Sequence, residues 1–434
     1  MKLGRTYSYK TYKAQAIAPF LNAARRRRVD WIGLADSNEV QGGFGRNHGI
    51  QYALATRYQL YGTGSISGNE NLGPGSNMGY FVNAANNGGR LNDNATCPGT
   101  LDAYNQADVA VITGSQFATN YYWFMNDAQS DSSNTGMVIT PGGPHDVNSS
   151  WRGRYRYGLP STAGSGNFKP TIRRGDSPFT ELATTTEILT GGGGNTLATV
   201  DVSLGAATRN YQLDFRWGPS AYTINGPVFL LWQKADDTAK TWGWQYHTAV
   251  YRGGQGLVEF AQAIDASTAG MQEHLRWCCD AQTGAPMALV SICSGLNDRN
   301  DAADPSVGPI GGFPSDTQAG YADNLRAIIN LYKFNWSALG YDLRNLGFLI
   351  WPSHPVSLID DPKLASYRAV ASQVADSYDN TACLFTEPII NSYLQRNATT
   401  WYASGGTDTL HMTQTGYEQT LLLCIDELIR ETRA

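Results

Sequence analysis

The chain has 434 residues, with 32 Lys and Arg against 37 Asp and Glu for a net charge of −5, and only 16% of it is charged. That mild acidity argues against a general nucleic-acid binder, which carries a basic footprint. Six dispersed cysteines with no C-x-x-C pair exclude a disulfide scaffold and a thiolate zinc site, while leaving room for one or two bridges.

No apolar run reaches the ~18 residues that cross a bilayer. Met1 to Thr6 lacks the apolar centre of a secretory signal. A soluble protein is expected, with no membrane partner and with its compartment open, extracellular or virion-associated settings included. Abundant Gly, Tyr, Trp, Asn, Thr and Ser lean toward carbohydrate handling.

Residues 12–24 read as a helix with Ala14, Ile17, Ala18 and Leu21 on one face. The basic run Arg25 to Arg28 reads as a solvated helix end. Val29 to Leu34 is a short buried strand, and 47–60 a helix with Ile50, Leu54 and Tyr58 on one side. Strand, turn and helix in this order are an α/β signature.

From about Gly62 to Asp236 the chain is rich in Gly, Asn, Ser and Thr. The alternating runs Ala198 to Val202, Tyr211 to Trp217 and Val228 to Trp232 read as antiparallel strands joined by turns, as in a β-sandwich. Gly191 to Gly194, followed by Asn195, is a hairpin tip rather than a phosphate loop, because no Lys-Ser/Thr follows.

The α/β pattern returns at about residue 245. Strands are expected at His247 to Tyr251, Met287 to Cys293, Leu346 to Trp351 and Ala382 to Phe385. Helices are expected at Leu257 to Cys279, with Phe260, Ile264 and Met271 inward, and at 318–339, 363–378 and Thr415 to Thr432. Thr415 and Glu418 have capping-box spacing at the start of the last helix. The expected division is an α/β domain in two parts, 1–65 and 241–434, interrupted by an inserted antiparallel β-sandwich domain at 66–240.

Active sites of open α/β sheets collect in the loops at the C-terminal ends of the strands. Those loops here are Asp36-Ser37-Asn38, Arg252-Gly253-Gly254-Gln255-Gly256 and Ser294-Gly295-Leu296-Asn297-Asp298, while Asp408-Thr409-Leu410-His411 precedes the last helix. A serine hydroxyl needs a base within hydrogen-bond reach, and the base needs an orienting acceptor. Ser37, His411 and Asp408 supply the three. Donors for a tetrahedral oxyanion are the backbone N–H of Ser37, that of a glycine, and the side-chain amide of Asn297.

These blocks resemble the SGNH hydrolases, the superfamily that includes GDSL-type esterases. Ala35-Asp36-Ser37-Asn38 matches the first block, with alanine in place of the usual glycine, and Ser37 takes the nucleophile position. Arg252 to Gly256 resembles the second, where the oxyanion glycine is normally the later one, Gly256, with Gly253 as fallback. Gly295-Leu296-Asn297-Asp298 matches the third, and Asp408 to His411 the fifth. The stretch from Asn38 to Arg252 is far longer than the family's usual spacing, and the resemblance does not cover it. No Gly-x-Ser-x-Gly elbow of the ordinary α/β-hydrolases is present.

The resemblance implies a flavodoxin-like parallel sheet with helices on both faces. It also implies a serine esterase without cofactor or metal, removing acyl groups, acetyl foremost, from a carbohydrate. Competing readings are an esterase or lipase on small or lipid esters, an acyltransferase on the same scaffold, and a non-catalytic glycan-binding or adhesin component. Asp36 and Asp298 are expected to brace their own loops, and His354 to stand at the pocket rim. His48, His145, His247 and His274 share no metal-ligand spacing. Tyr121, Tyr122, Trp123, Trp151, Tyr155 and Tyr157 are sugar-stacking candidates against a core role, and Arg173-Arg174 a candidate contact for anionic sugars.

Overall fold

The computed structural model describes residues 10–35, 46–67, 123–125, 136–139, 150–159, 167–174, 181–184, 188–189, 196–203, 211–216, 228–251, 256–258, 260–261, 268–295, 298, 316–352, 362–390, 400–401 and 412–433.

The chain opens with β1 (Thr11–Tyr12), a 3₁₀ turn, α1 (Ala18–Ala23), β2 (Arg28–Ala35) and α2 (Arg46–Arg57). The predicted helix over 12–24 is therefore split, because Tyr12 pairs with Cys383 as an edge strand before the turn begins. Ten short strands follow: β3 (Gly62–Ser67), β4 (Trp123–Met125), β5 (Gly136–Ile139), β6 (Trp151–Leu159), β7 (Asn167–Arg174), β8 (Glu181–Thr184), β9 (Ile188–Leu189), β10 (Thr196–Ser203), β11 (Tyr211–Arg216) and β12 (Val228–Asp237). Next come β13 (Gly243–Tyr251), α3 (Thr268–Cys279), β14 (Ala288–Ser294), α4 (Gln318–Ala338), β15 (Leu346–Pro352), α5 (Pro362–Asp376), β16 (Thr381–Leu384) and α6 (Gln414–Glu431).

One six-stranded sheet has the order β1-β16-β15-β14-β2-β13, with every pairing parallel except β1 on β16. Leaving out the edge strand β1, the chain-order pattern is 2-1-3-4-5, the flavodoxin-like doubly wound arrangement. All of β14 and β15 is buried, as parallel strands covered on both faces must be.

Alternate side chains feed two cores. Ile32, Leu34, Val290, Ile292, Phe348 and Ile350 pack under α3, α4 and α5. Val29, Trp31, Leu289, Cys293, Leu349 and Trp351 pack under α1, α2 and α6. Gly33 has no room for a side chain, since a Cβ there would lie 2.0 Å from the Tyr246 hydroxyl.

Strands β3 to β12 hydrogen-bond into two further antiparallel sheets, β10-β6-β12-β3 with β4 on β12, and β5-β11-β7-β8 with β9 on β7. The mixture of one parallel and two antiparallel sheets is what the sequence pattern called for at the level of strand pairing. The change of sheet falls at Gly62, whose Cα is so close to β12 that a Cβ would lie 2.3 Å from the Ala235 carbonyl.

Polar side chains join the two kinds of sheet. Buried Lys234 of β12 reaches over the C-terminus of α3, where it donates to the Trp277 carbonyl and pairs with Asp280 at 2.5 Å. Arg154 and Arg156 of β6 pair with Asp280 at 2.6 Å and Glu273 at 2.5 Å. Arg28 donates to the Asp237, Lys240 and Ala281 carbonyls at 2.7–2.8 Å. The basic run thus does two jobs: Arg25 and Arg26 are exposed, as expected of a helix end, whereas Arg28 is a staple. The described cysteines, Cys278, Cys279, Cys293, Cys383 and Cys424, are free thiols and buried, so no bridge forms among them. Among the described residues no helix is long and apolar enough to cross a membrane.

Candidate active site

The order β14-β2-β13 places a topological switch point at β2. The chain leaves β2 toward α2 on one face of the sheet, and its neighbour β14 leads to α4 on the other. Diverging connections open a crevice beyond the carboxyl ends of the central strands. Three strand ends border it. β2 stops at Ala35, next to Asp36-Ser37; β13 stops at Tyr251, in register with Ala35; β14 stops at Ser294, before Gly295. A register shift between Thr248 and Val250 bends β13 just before its end, and such bulges gather beside active sites.

Of the predicted site residues, Ser37, Asn297, Asp408 and His411 lie outside the described residues, as do Gly253, Asp36 and His354. Gly256 is described. It is buried, and its carbonyl accepts from Phe260 N at 3.3 Å as the chain turns helical at Leu257.

Asp298 braces its loop as expected, and does more. One carboxylate oxygen accepts from Gly295 N at 2.7 Å, while the other accepts from Leu257 N at 2.8 Å, across in the loop after β13. Gly295 has φ +114°, a conformation that strains any residue with a Cβ, so glycine is required where the chain turns off β14. Beneath the loop Tyr321 stacks on Tyr367 at 4.1 Å and 12°. The Tyr321 hydroxyl lies 3.1 Å from Ser294 Oγ, and Tyr367 donates to the Asp298 carbonyl at 3.4 Å. Burial first, then the Asp298 charge, hold the Tyr321 hydroxyl well above the usual phenol range, so it stays protonated.

The segments bearing Ser37 and His411 run into helices that touch. A Cβ on Gly49, in the first turn of α2, would lie 2.8 Å from the Tyr417 carbonyl in the first turn of α6. A Cβ on Gly416 would lie 2.3 Å from the Trp401 carbonyl. The N-cap of α6 is Thr413, which accepts from Gly416 N at 3.1 Å and donates to the Thr400 carbonyl at 2.8 Å. The expected Thr415–Glu418 box therefore does not form; the helix starts earlier, and Glu418 instead accepts from Gln414 at 2.7 Å.

Two polar features escaped the sequence. Arg46, at the start of α2, is 2% exposed and lies 5.4 Å over the Trp351 ring at the end of β15. Its only sequence signal was a cation at the start of a helix, where the dipole disfavours one. The second is a buried cluster lower in the sheet. His247 Nε2 lies 2.8 Å from Asp30 Oδ1, both 0% exposed. Asp30 also accepts from Tyr61 Oη and from Gln282 Nε2. Burial pulls His247 below the ordinary histidine range, against the opposing pull of Asp30, so the neutral ring donates to the carboxylate. His274, beside Cys278 Sγ at 3.4 Å, is pulled down to about 3, by burial first, with the nearby Lys234 ammonium acting in the same direction. Among the described residues no group of three His, Cys, Asp or Glu could hold a metal ion.

Tyr155, a sugar-stacking candidate, is 0% exposed and belongs to the core. The side chains of Tyr121, Tyr122, Trp123, Trp151, Tyr157, Arg173 and Arg174 lie outside the described residues.

No family model matches the chain, and no curated protein matches it. Solved structures resemble it weakly. A family two carbohydrate esterase from Cellvibrio japonicus shares 10% identity over 72% of this chain and 95% of its own, at a TM-score of 0.29. A salicylyl-acyltransferase from a tetracycline biosynthetic pathway shares 12% over 85% and 98%, at 0.28. A family 3 carbohydrate esterase from Clostridium thermocellum shares 14% over 43% and 71%, at 0.26.

Proposed function

We propose that the chain is a serine esterase of the SGNH type that removes acyl groups, acetyl foremost, from a carbohydrate. The observation that carries it is the switch point: the three strands bordering the crevice are the ones followed in sequence by Ser37, Gly256 and Asn297. The touching first turns of α2 and α6 support bringing the Ser37 and Asp408–His411 segments to the same end of the sheet.

In this reading Ser37 Oγ attacks the ester carbonyl and passes its proton to His411, which Asp408 orients. The oxyanion is held by the N–H groups of Ser37 and Gly256 and by the Asn297 amide. Collapse expels the sugar oxygen, which takes the proton from His411. Water then gives a proton to His411 and attacks the acyl-enzyme; the acid leaves, and Ser37 Oγ is reprotonated. No cofactor or metal enters. The β-rich segment 66–240 is the proposed insert, and its aromatic and amide-rich composition supports a sugar-bearing substrate over a lipid.

A fluorophosphonate probe tests the nucleophile. The expected result is one covalent adduct, mapped to Ser37, formed together with loss of acetate release from acetylated polysaccharides. An adduct elsewhere, or none, would overturn the assignment.

A further inference from the structure

We propose that Asp298 is a positioning residue of the oxyanion hole, a single carboxylate that sets Gly256 and Asn297 against each other. This rests on the serine-esterase reading above.

The two segments have no sheet contact of their own. β13 and β14 flank β2 on opposite sides, so the loops that leave them start about 9–10 Å apart at ordinary strand spacing. Asp298 closes that gap. It is 1% exposed, and its two oxygens accept from Leu257 N at 2.8 Å and Gly295 N at 2.7 Å. Leu257 directly follows Gly256, and Asn297 lies in the short stretch between Gly295 and Asp298. Both proposed donors outside the nucleophile's own segment are therefore within two residues of an atom that Asp298 holds or of Asp298 itself. The bridge spans the end of β2, from which the chain runs on to Ser37.

Oxyanion donors work only when their separation is fixed before the charge develops, and backbone bonds to one buried carboxylate fix it. A neutral amide of the same shape cannot do so: Asn accepts with one atom and presents N–H with the other, toward a second N–H. Tyr367, donating to the Asp298 carbonyl at 3.4 Å, and its stacking partner Tyr321 hold the bridge from below.

The test compares an aryl acetate with the matching aryl thionoacetate in wild type, Asp298→Asn, Asn297→Ala and the double variant. A hole built for oxygen favours the oxoester over the larger, weaker-accepting sulfur. The ratio of the two kcat/KM values does not depend on how much protein is folded. Asp298→Asn should lower kcat on the acetate about 10–100-fold with KM nearly unchanged, and lower the oxo/thiono ratio about tenfold toward the Asn297→Ala value. In the double variant the losses should fall short of multiplying.

An unchanged ratio, with activity falling only in step with folded protein, would overturn the proposal and leave Asp298 a structural brace. Fully multiplicative losses would overturn it as well. If Asp298→Asn does not accumulate, Asp298→Glu carries the same ratio, and an unchanged ratio there counts against the proposal equally. Absence of wild-type turnover and of Ser37 labelling would instead remove the esterase reading, and this proposal with it.

Discussion

Two aspartate–histidine pairs, one observed within the sheet and one proposed from the sequence, share residue types and differ in setting. Asp30 and His247 lie on neighbouring strands, both 0% exposed, with Tyr61 and Gln282 completing the carboxylate's partners. Asp408 and His411, the proposed catalytic pair, lie in the stretch of sequence that leads into α6. The inner pair has an acid, a base and a 2.8 Å contact, yet its histidine is held neutral by burial. Geometry between two side chains is therefore not enough to define a catalytic pair; its place relative to the strand ends decides what it can meet.

The sharpest way to break that contrast is to remove one histidine at a time. His411→Ala and Ser37→Ala should each lower turnover of a chromogenic acetyl ester by at least ~10⁴-fold while leaving the unfolding midpoint in place. His247→Gln should do the reverse, keeping turnover per folded molecule. Turnover lost in His247→Gln at unchanged stability would mean that the inner pair takes part in chemistry.

Next in size is Asp30→Ala, which leaves the Tyr61 hydroxyl, the Gln282 amide and the His247 ring facing a buried void. A loss of about 3–5 kcal/mol in urea unfolding is expected. Lys234→Met keeps the stem but strips the cation from Asp280 and the Trp277 carbonyl, and should cost about 1–3 kcal/mol by the same measurement. A cost near zero there would mean that the antiparallel sheets are loosely attached. Removing them to isolate the α/β part would likewise expose the end of α3 and take away partners of Arg28.

Acid adds a smaller, graded effect. The folded His274 is depressed to about 3, so below the free histidine pKa of about 6.5 the unfolded chain binds a proton that the folded chain refuses. That contribution is complete above about pH 6.5 and is lost as pH falls from there toward 3. Between pH 6.5 and 5, His274→Leu should flatten the fall in stability by up to about 1.4 kcal/mol per pH unit. Identical slopes in the two proteins would contradict the burial argument. The smallest change is Thr413→Ala, expected to cost about 1 kcal/mol through the lost cap of α6.

Much of the α/β part was legible because parallel strands buried on both faces are continuous apolar runs. Leu346 to Trp351 and the strand ending at Cys293 announce themselves in this way. The edge strand at Thr11–Tyr12 was not legible, since two residues carry no period and the pairing partner is Cys383, far along the chain. The cap of α6 was misread for a related reason. Thr413 and Thr415 both suit an N-cap, and what selects Thr413 is a hydrogen bond to the Thr400 carbonyl from outside the helix. Tyr155 looked like any other aromatic on an alternating strand; only the packing of β6 removes it from solvent.

By itself the sequence determined the class of the fold and the order of the polar blocks, because periodicity and short motifs are local properties of the chain. Only the tertiary structure decided the strand order 2-1-3-4-5, and with it which strand ends are neighbours. It also decided that Asp298 holds two loops rather than one, and that Asp30 and His247 are sealed within the sheet. These are contacts between segments far apart in sequence, and the free energy that selects them comes from burial, which no local pattern records.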